Sequence, residues 1–279
     1  MKQSAHHPNI VLICHESEPL DCEGLASWLA STMNLIGIIV IREGTARRWR
    51  VARRQIRRDG WLSFVDVVAF RMYSAIVLAR RDAQWKERAL RRLRARFSAD
   101  LGNVPRLIVA DPNSDEARAF LSALKPDLLL ARCKFLLKPA VFNAPSKGTF
   151  VLHPGICPEY RNAHGCFWAL VNRDHQRVGM TLLRVDEGVD TGPVYLQSSC
   201  EFDEVRESHT MIQYRVVLEN LDAIGRTLRA IGKGQEVAPL ETRGRRSAVW
   251  GQPRLSDYLR WKWEARRSRR DATRVPSLS

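Results

Sequence analysis

The sequence lacks the features that mark several large classes of protein. None of its six cysteines stands in a CxxC pair, and the cluster His153, Cys157, His164 and Cys166 matches no familiar zinc-binding pattern. We therefore predict no metal site. No secretory leader precedes the first apolar run, because HHPN leads directly into a predicted strand. This favours reduced thiols in a cytoplasmic protein.

Acidic residues are scarce. The chain has 30 Asp and Glu against 45 Lys and Arg, a formal charge of +15 over 279 residues. The excess lies in three arginine-rich segments, 42–58, 80–96 and 254–274, while the rest is close to neutral. Such segments suit an anionic membrane surface, an acidic partner or nucleic acid, although solvated helix faces are an equal alternative.

A glycine-rich phosphate loop is also missing. The chain begins with a predicted strand over 9–15, a helix over 20–33 and a second strand over 35–42. This order is typical of a Rossmann-like α/β fold with a mostly parallel sheet. The turn after the first strand, HESEP, is acidic and contains no glycine, so it cannot cradle a phosphate. A bound dinucleotide is therefore not expected.

The apolar run WLSFVDVVAFRMYSAIVLA interrupts this regular pattern at 61–79. Its 3.6-residue periodicity predicts a helix, and the stripe includes Trp61, Val65 and Met72. Asp66 and Arg71 argue against a membrane span. A core or dimer helix, an interfacial membrane helix and a nucleic-acid arm remain as alternatives, the last being least favoured.

Reactive side chains concentrate at 150–197. The apolar run TFVL delivers His153 to a predicted strand end, where Pro154-Gly155 stops the strand. The later loop DEGVDTGP carries Asp186 and Asp190. A histidine and an aspartate at two loop ends of one sheet are a plausible proton-transfer pair.

The two stretches HPGICPEYR and VGMTLLRVDEGVDTGP resemble, in order and spacing, the formyltransferase family that uses 10-formyltetrahydrofolate. This family includes the glycinamide ribonucleotide, methionyl-tRNA and amino-sugar formyltransferases. The resemblance covers 104–232 well and the first 41 residues loosely. It implies a catalytic role for His153 and Asp190, with formylfolate as the donor.

The same resemblance implies where the folate binds. Phe135, Leu136, Leu137 and Phe142 fall on the segment that lines the family's folate pocket, with Asp186 and Gly188 on the second loop. Phe135 to Leu137 would equally suit plain core.

The chain departs from the family at Val151, which stands where the family has its catalytic asparagine and offers no hydrogen bond. Asn162 and His164 are the nearest candidates to replace that donor, although Asn162 also suits a helix N-cap.

The resulting prediction is a formyltransferase-like catalytic domain over 1–241, with a basic helical insertion at about 43–100 and a basic C-terminal extension over 242–279. The methionyl-tRNA branch carries a barrel that this extension is too short to form, so a small amine acceptor is expected, such as an amino sugar or a secondary metabolite. A formylfolate hydrolase and a non-catalytic scaffold at a membrane or polyanion are the alternatives. A homodimer stays open, and the basic segments are expected to be dispensable for chemistry.

Overall fold

The computed structural model describes residues 7–44 and 60–274. Its strands are β1 (Asn9–His15), β2 (Asn34–Ile41), β3 (Arg106–Val109), β4 (Leu128–Arg132), β5 (Gly148–His153), β6 (Arg161–Asn162), β7 (Gly179–Arg184), β8 (Val194–Ser199) and β9 (Val249–Trp250). Its α-helices are α1 (Ala26–Thr32), α2 (Trp61–Tyr73), α3 (Ala79–Arg96), α4 (Asp115–Leu124), α5 (Pro139–Phe142), α6 (Gly165–Val171), α7 (His209–Leu218), α8 (Leu221–Gly232) and α9 (Leu255–Arg274). Two π-helical segments, Leu20–Leu25 and Ser74–Leu78, lead into α1 and α3, and a 3₁₀ turn covers His175–Arg177.

Seven strands form one sheet in the order β3-β2-β1-β4-β5-β7-β8. The first five are parallel, β7 is antiparallel to β5, and β8 is antiparallel to β7. Alternate residues of β1 enter two hydrophobic cores, one on each face of the sheet. This arrangement confirms the predicted Rossmann-like class, and it brings the carboxyl ends of β1, β4 and β5 to one edge.

Serine side chains cap the first turns of α4 and α7. Ser114 accepts a hydrogen bond from the backbone N–H of Ala117 at 3.3 Å, and Ser208 accepts one from that of Met211 at 3.1 Å. The helical region from 209 to 232 consists of two helices, α7 and α8, with a break at Asn220. The Asn220 side chain is bonded to β8 there: its Oδ1 accepts from Ser198 Oγ at 2.6 Å.

Within the predicted insertion at about 43–100, residues 61 to 96 form one long run of helix through α2, the second π-helical segment and α3, while residues 45–59 lie outside the described residues. The interpretation of this run as a core helix would bury the predicted apolar stripe, and for the stripe it is wrong, because Trp61 is 63% exposed and Met72 is 59% exposed. Val67 and Phe70 are instead the side chains of α2 that are buried. The stripe faces outward because this second apolar face contacts the core.

The C-terminal helix α9 packs back onto the body of the protein. Trp261 is fully buried and joins the same core as α1, α6 and α8. The segment before α9 forms a second, two-stranded sheet, in which β9 pairs with β6. The chain after residue 241 therefore contributes to the core and to the loop that follows β5.

Candidate active site

His153 lies at the carboxyl end of β5, opposite Thr181 of the antiparallel β7. The turn beyond it allows a very close approach of two chain segments. A Cβ placed on Gly155 would lie 2.8 Å from His153 Nε2 and 2.7 Å from the Cα of Gly165. Only glycine fits at this contact, so the turn that presents His153 is sterically fixed.

Both ring nitrogens of His153 face acceptors. Nε2 lies 2.7 Å from the carbonyl oxygen of Tyr160, and Nδ1 lies 3.5 Å from Asp190 Oδ2. Burial disfavours the charged imidazolium, but Cys157, the Asp190 carboxylate and the Tyr160 carbonyl together outweigh it and raise the pKa of His153 to about 9. At neutral pH the ring is therefore a cation that can donate from both nitrogens.

Asp190 lies in the loop between β7 and β8, with left-handed backbone geometry at φ 50°. Its Oδ2 also accepts the backbone N–H of Asn162 at 2.7 Å. Asp186 organises the same loop, because its Oδ1 accepts from Gly188 N at 3.0 Å and from Thr191 Oγ1 at 2.7 Å. Within the described part of the chain, no hydrogen bond reaches Asp190 Oδ1, which leaves that oxygen available.

Asn162 and His164 both lie on this side of the sheet, in left-handed conformations. The Asn162 side chain does not cap α6, because its Nδ2 donates to the carbonyl of Trp250 at 2.6 Å. His164 Nδ1 lies 3.3 Å from Gln213 Nε2. Burial, with the nearby cations Lys134 and Arg71, lowers the pKa of His164 to about 4, so this imidazole is neutral at pH 7.

Val151 lies two residues before His153 on the same face of β5 and packs against Cys157, Leu183 and Val194. It is half-buried rather than enclosed. The side chain beside the charged His153 is therefore apolar at the position where the resembled family has an asparagine.

The residues predicted to bind folate divide into two groups. Leu137 and Phe142 are buried in the core beneath the sheet, and so line no surface. Phe135 is half-buried with its ring centroid 6.2 Å from that of His15, and Leu136 is 59% exposed. Phe135 and Leu136, on the turn after β4, therefore supply the apolar surface next to β5.

The structure also shows polar residues that sequence reasoning missed. Arg132 donates to the carbonyl of Leu152 at 2.6 Å, directly before His153, and also pairs with Asp21. Thr181 Oγ1 donates to Gly155 O at 2.7 Å and accepts from Cys157 N at 3.1 Å, which stabilises the turn after His153. Arg132 ends the buried strand β4, a position that could have marked it as a candidate, whereas Thr181 lies within β7 and had no such signal.

Known proteins resemble this chain in sequence and in fold. The formyl transferase family model matches residues 81–228. A methionyl-tRNA formyltransferase from Chlorobium chlorochromatii is 30% identical over 138 residues, which are 49% of this chain and 43% of that protein. The mouse cytosolic 10-formyltetrahydrofolate dehydrogenase is 29% identical over 120 residues, 43% of this chain and 13% of that protein. The chain thus spans less than half the length of these relatives.

Solved structures show the same fold at low identity. A sugar N-formyltransferase from a Shewanella species superposes with a TM-score of 0.52 at 12% identity, covering 91% of this chain and 86% of that one. A glycinamide ribonucleotide transformylase from Symbiobacterium toebii gives a TM-score of 0.51 at 16% identity, with 90% and 98% covered.

Proposed function

We propose that this chain, which belongs to the formyl transferase family, transfers the formyl group of 10-formyltetrahydrofolate to a small amine. The observation that carries the proposal is the contact between His153 and Asp190, two residues brought together from separate loops at one edge of the sheet. The charged imidazolium and the available carboxylate oxygen are the two groups that formyl transfer requires of a protein.

Apolar and polar groups near His153 are suited to contact with a reduced folate. Phe135, Leu136 and Val151 offer apolar contact, and the loop of Asp186 and Gly188 offers polar groups beside them. The folate supplies an activated formyl group. The protein residues hold it next to the imidazolium and keep water from its apolar side.

Each residue of the pair has a distinct task. The positive charge of His153 stabilises the negative charge that develops on the formyl oxygen during transfer. Both ring nitrogens of His153 face acceptors within the chain, so the imidazolium stabilises the formyl oxygen through its charge. A hydrogen bond from Nε2 to the formyl oxygen would require Nε2 to leave the Tyr160 carbonyl. As the amine nitrogen bonds to the formyl carbon, Asp190 Oδ1 accepts the proton that the amine loses. The bond from the formyl carbon to the folate nitrogen then breaks, and the proton passes to that departing nitrogen.

A small acceptor fits the way in which the C-terminal segment covers the site. The indole of Trp250 stacks on Trp168 and Tyr160 with centroid separations of 5.0 and 5.5 Å, and its carbonyl accepts from Asn162. This segment therefore packs against the loop whose Asn162 N–H binds Asp190. An amino sugar or a related metabolite is therefore the acceptor class that we favour, and the fold shared with a sugar N-formyltransferase supports the choice.

The decisive experiment incubates the protein with formylfolate and a panel of amines, with mass spectrometry to detect a gain of one formyl group. We expect a formylated amine with the native protein and at least about a hundredfold slower product formation with His153→Ala or Asp190→Asn. Tetrahydrofolate and formate without any formylated amine would instead identify a hydrolase. Absence of folate binding by calorimetry would leave a non-catalytic scaffold and refute the proposal.

A further inference from the structure

An exposed apolar ridge runs along the long helix of the insertion. We define the ridge as Trp61, Leu62, Val65, Met72, Ile76 and Val77. Its least exposed member is Val65, at 49%, and its most exposed is Leu62, at 86%. So many large apolar side chains on one element are unusual for a surface that meets only water.

The ridge is held outward by contacts on the opposite face of the same helix. Phe70 packs against Phe167 and Tyr258, with ring centroids 5.9 and 5.3 Å apart. Asp66 accepts hydrogen bonds from the backbone and side chain of Ser256 at the start of α9. Rotation of the helix to bury the ridge would break these contacts, so the exposure is a fixed property of the fold.

The helix has the length and composition of a membrane-active segment. Over its most apolar 18-residue window the mean hydropathy is 1.7, and only 17% of that window is buried. A core helix of similar composition would be mostly buried. A crossing of the bilayer does not fit, because the inner face packs on the protein core and the run contains Asp66 and Arg71.

Positive charge surrounds the ridge. Arg71, Arg80 and Arg81 are exposed on the same helical run. The neighbouring α9 contributes further exposed arginines, among them Arg260 and Arg266. A surface that is apolar along its centre and cationic at its borders complements an anionic lipid bilayer, whose phosphates meet the arginines while its acyl region receives the apolar side chains.

We infer that the ridge docks this protein onto the surface of an anionic membrane, with the helix lying in the interface and the catalytic sheet remaining in water. Charge favours an anionic bilayer over a second copy of the chain as the partner of the ridge. A self-association through the ridge would bring two sets of arginines together, whereas an anionic bilayer neutralises them. The inference is independent of the reaction catalysed.

The test is co-sedimentation of the full-length protein with lipid vesicles. We expect binding to phosphatidylglycerol/phosphatidylcholine vesicles, little binding to pure phosphatidylcholine, and a decrease as ionic strength rises from about 0.05 to 0.5 M. The double variant Leu62→Gln/Ile76→Gln should reduce the affinity at least about tenfold, because two exposed side chains no longer enter the apolar layer.

A matched control is the double variant Ile108→Gln/Leu240→Gln, which changes two exposed aliphatic residues elsewhere on the surface. It should bind the vesicles as the native protein does, and circular dichroism should show that both variants are folded. Equal binding to neutral vesicles, or unchanged binding by the ridge variant, would overturn the inference. So would a homodimer in light scattering that the ridge variant abolishes, since it would assign the ridge to a second copy.

Discussion

At the scale of single residues, the protonation of His153 should set the pH range over which the proposed site works. Burial opposes the charge, but Cys157 and Asp190 raise the pKa to about 9, so the cation persists through neutral pH. We expect turnover to fall as pH rises through about 9. The associated stabilisation, about 3 kcal/mol, should be complete below the unfolded pKa of about 6.5 and lost as pH passes through 9.

Histidine NMR of the ring proton measures this pKa directly. Asp190→Asn, which removes the carboxylate 3.5 Å away, should lower it. A native value near the unperturbed range of about 6.5 would contradict the electrostatic picture.

Gly155 is the residue whose replacement should most directly displace His153. A methyl group there would meet His153 Nε2 and the backbone of Gly165 within van der Waals distance. We expect Gly155→Ala to lower turnover at least about tenfold, because a displacement of the order of 1 Å is enough to misplace a reacting group. Gly44→Ala is the control, since no atom lies within 4 Å of the added methyl group, and it should be active in the same assay.

Asn162 offers a test that separates side chain from backbone. Its amide donates to Trp250, while its left-handed backbone, at φ 72°, presents the N–H that binds Asp190. If the amide replaces the donor absent at Val151, both Asn162→Ala and Asn162→Gly should lower turnover at least about tenfold with little change in folate affinity. If only the left-handed backbone matters, the glycine variant should retain activity in steady-state assays.

At the scale of elements, the C-terminal helix is part of the structural core rather than an appendage. The expectation that its segment is dispensable for chemistry conflicts with the full burial of Trp261. Trp261→Ala should lower the free energy of unfolding by about 3–5 kcal/mol, measured by urea denaturation. Trp263→Ala, on the same helix but 60% exposed, is the matched control, and an equal loss in both variants would contradict this role.

Local patterns predicted some elements well and others poorly, for identifiable reasons. Strand β1 was predictable because a run that is apolar on both faces belongs inside a parallel sheet. The contact of His153 with Asp190 followed from family motifs, since their spacing alone gives no distance. The bond from Asn162 to Trp250 was not predictable, because nothing local signals a partner so distant in the chain.

At the scale of the whole molecule, two buried neutral histidines make the fold sensitive to acid. Burial, with Lys134 and Arg71 beside it, lowers the pKa of His164 to about 4, and burial likewise lowers the pKa of His209. Because the unfolded chain binds protons more readily at these positions, their stabilisation is present above about pH 6.5 and lost as pH falls towards 4. Urea denaturation at pH 7 and pH 5 should show the loss, and His164→Gln should reduce it. An unchanged pH dependence in that variant would contradict the assignment.

The hydrogen bond between Asn162 and Trp250 joins residues 88 positions apart. Trp250 also supports the Tyr160 loop, whose carbonyl holds His153. During synthesis the ribosome adds residues in order, so the sheet and the His153–Asp190 pair can form well before Trp250 leaves the exit tunnel. A nascent chain should therefore form the His153–Asp190 pair early and complete the surroundings of the pair only after the segment of Trp250 has emerged.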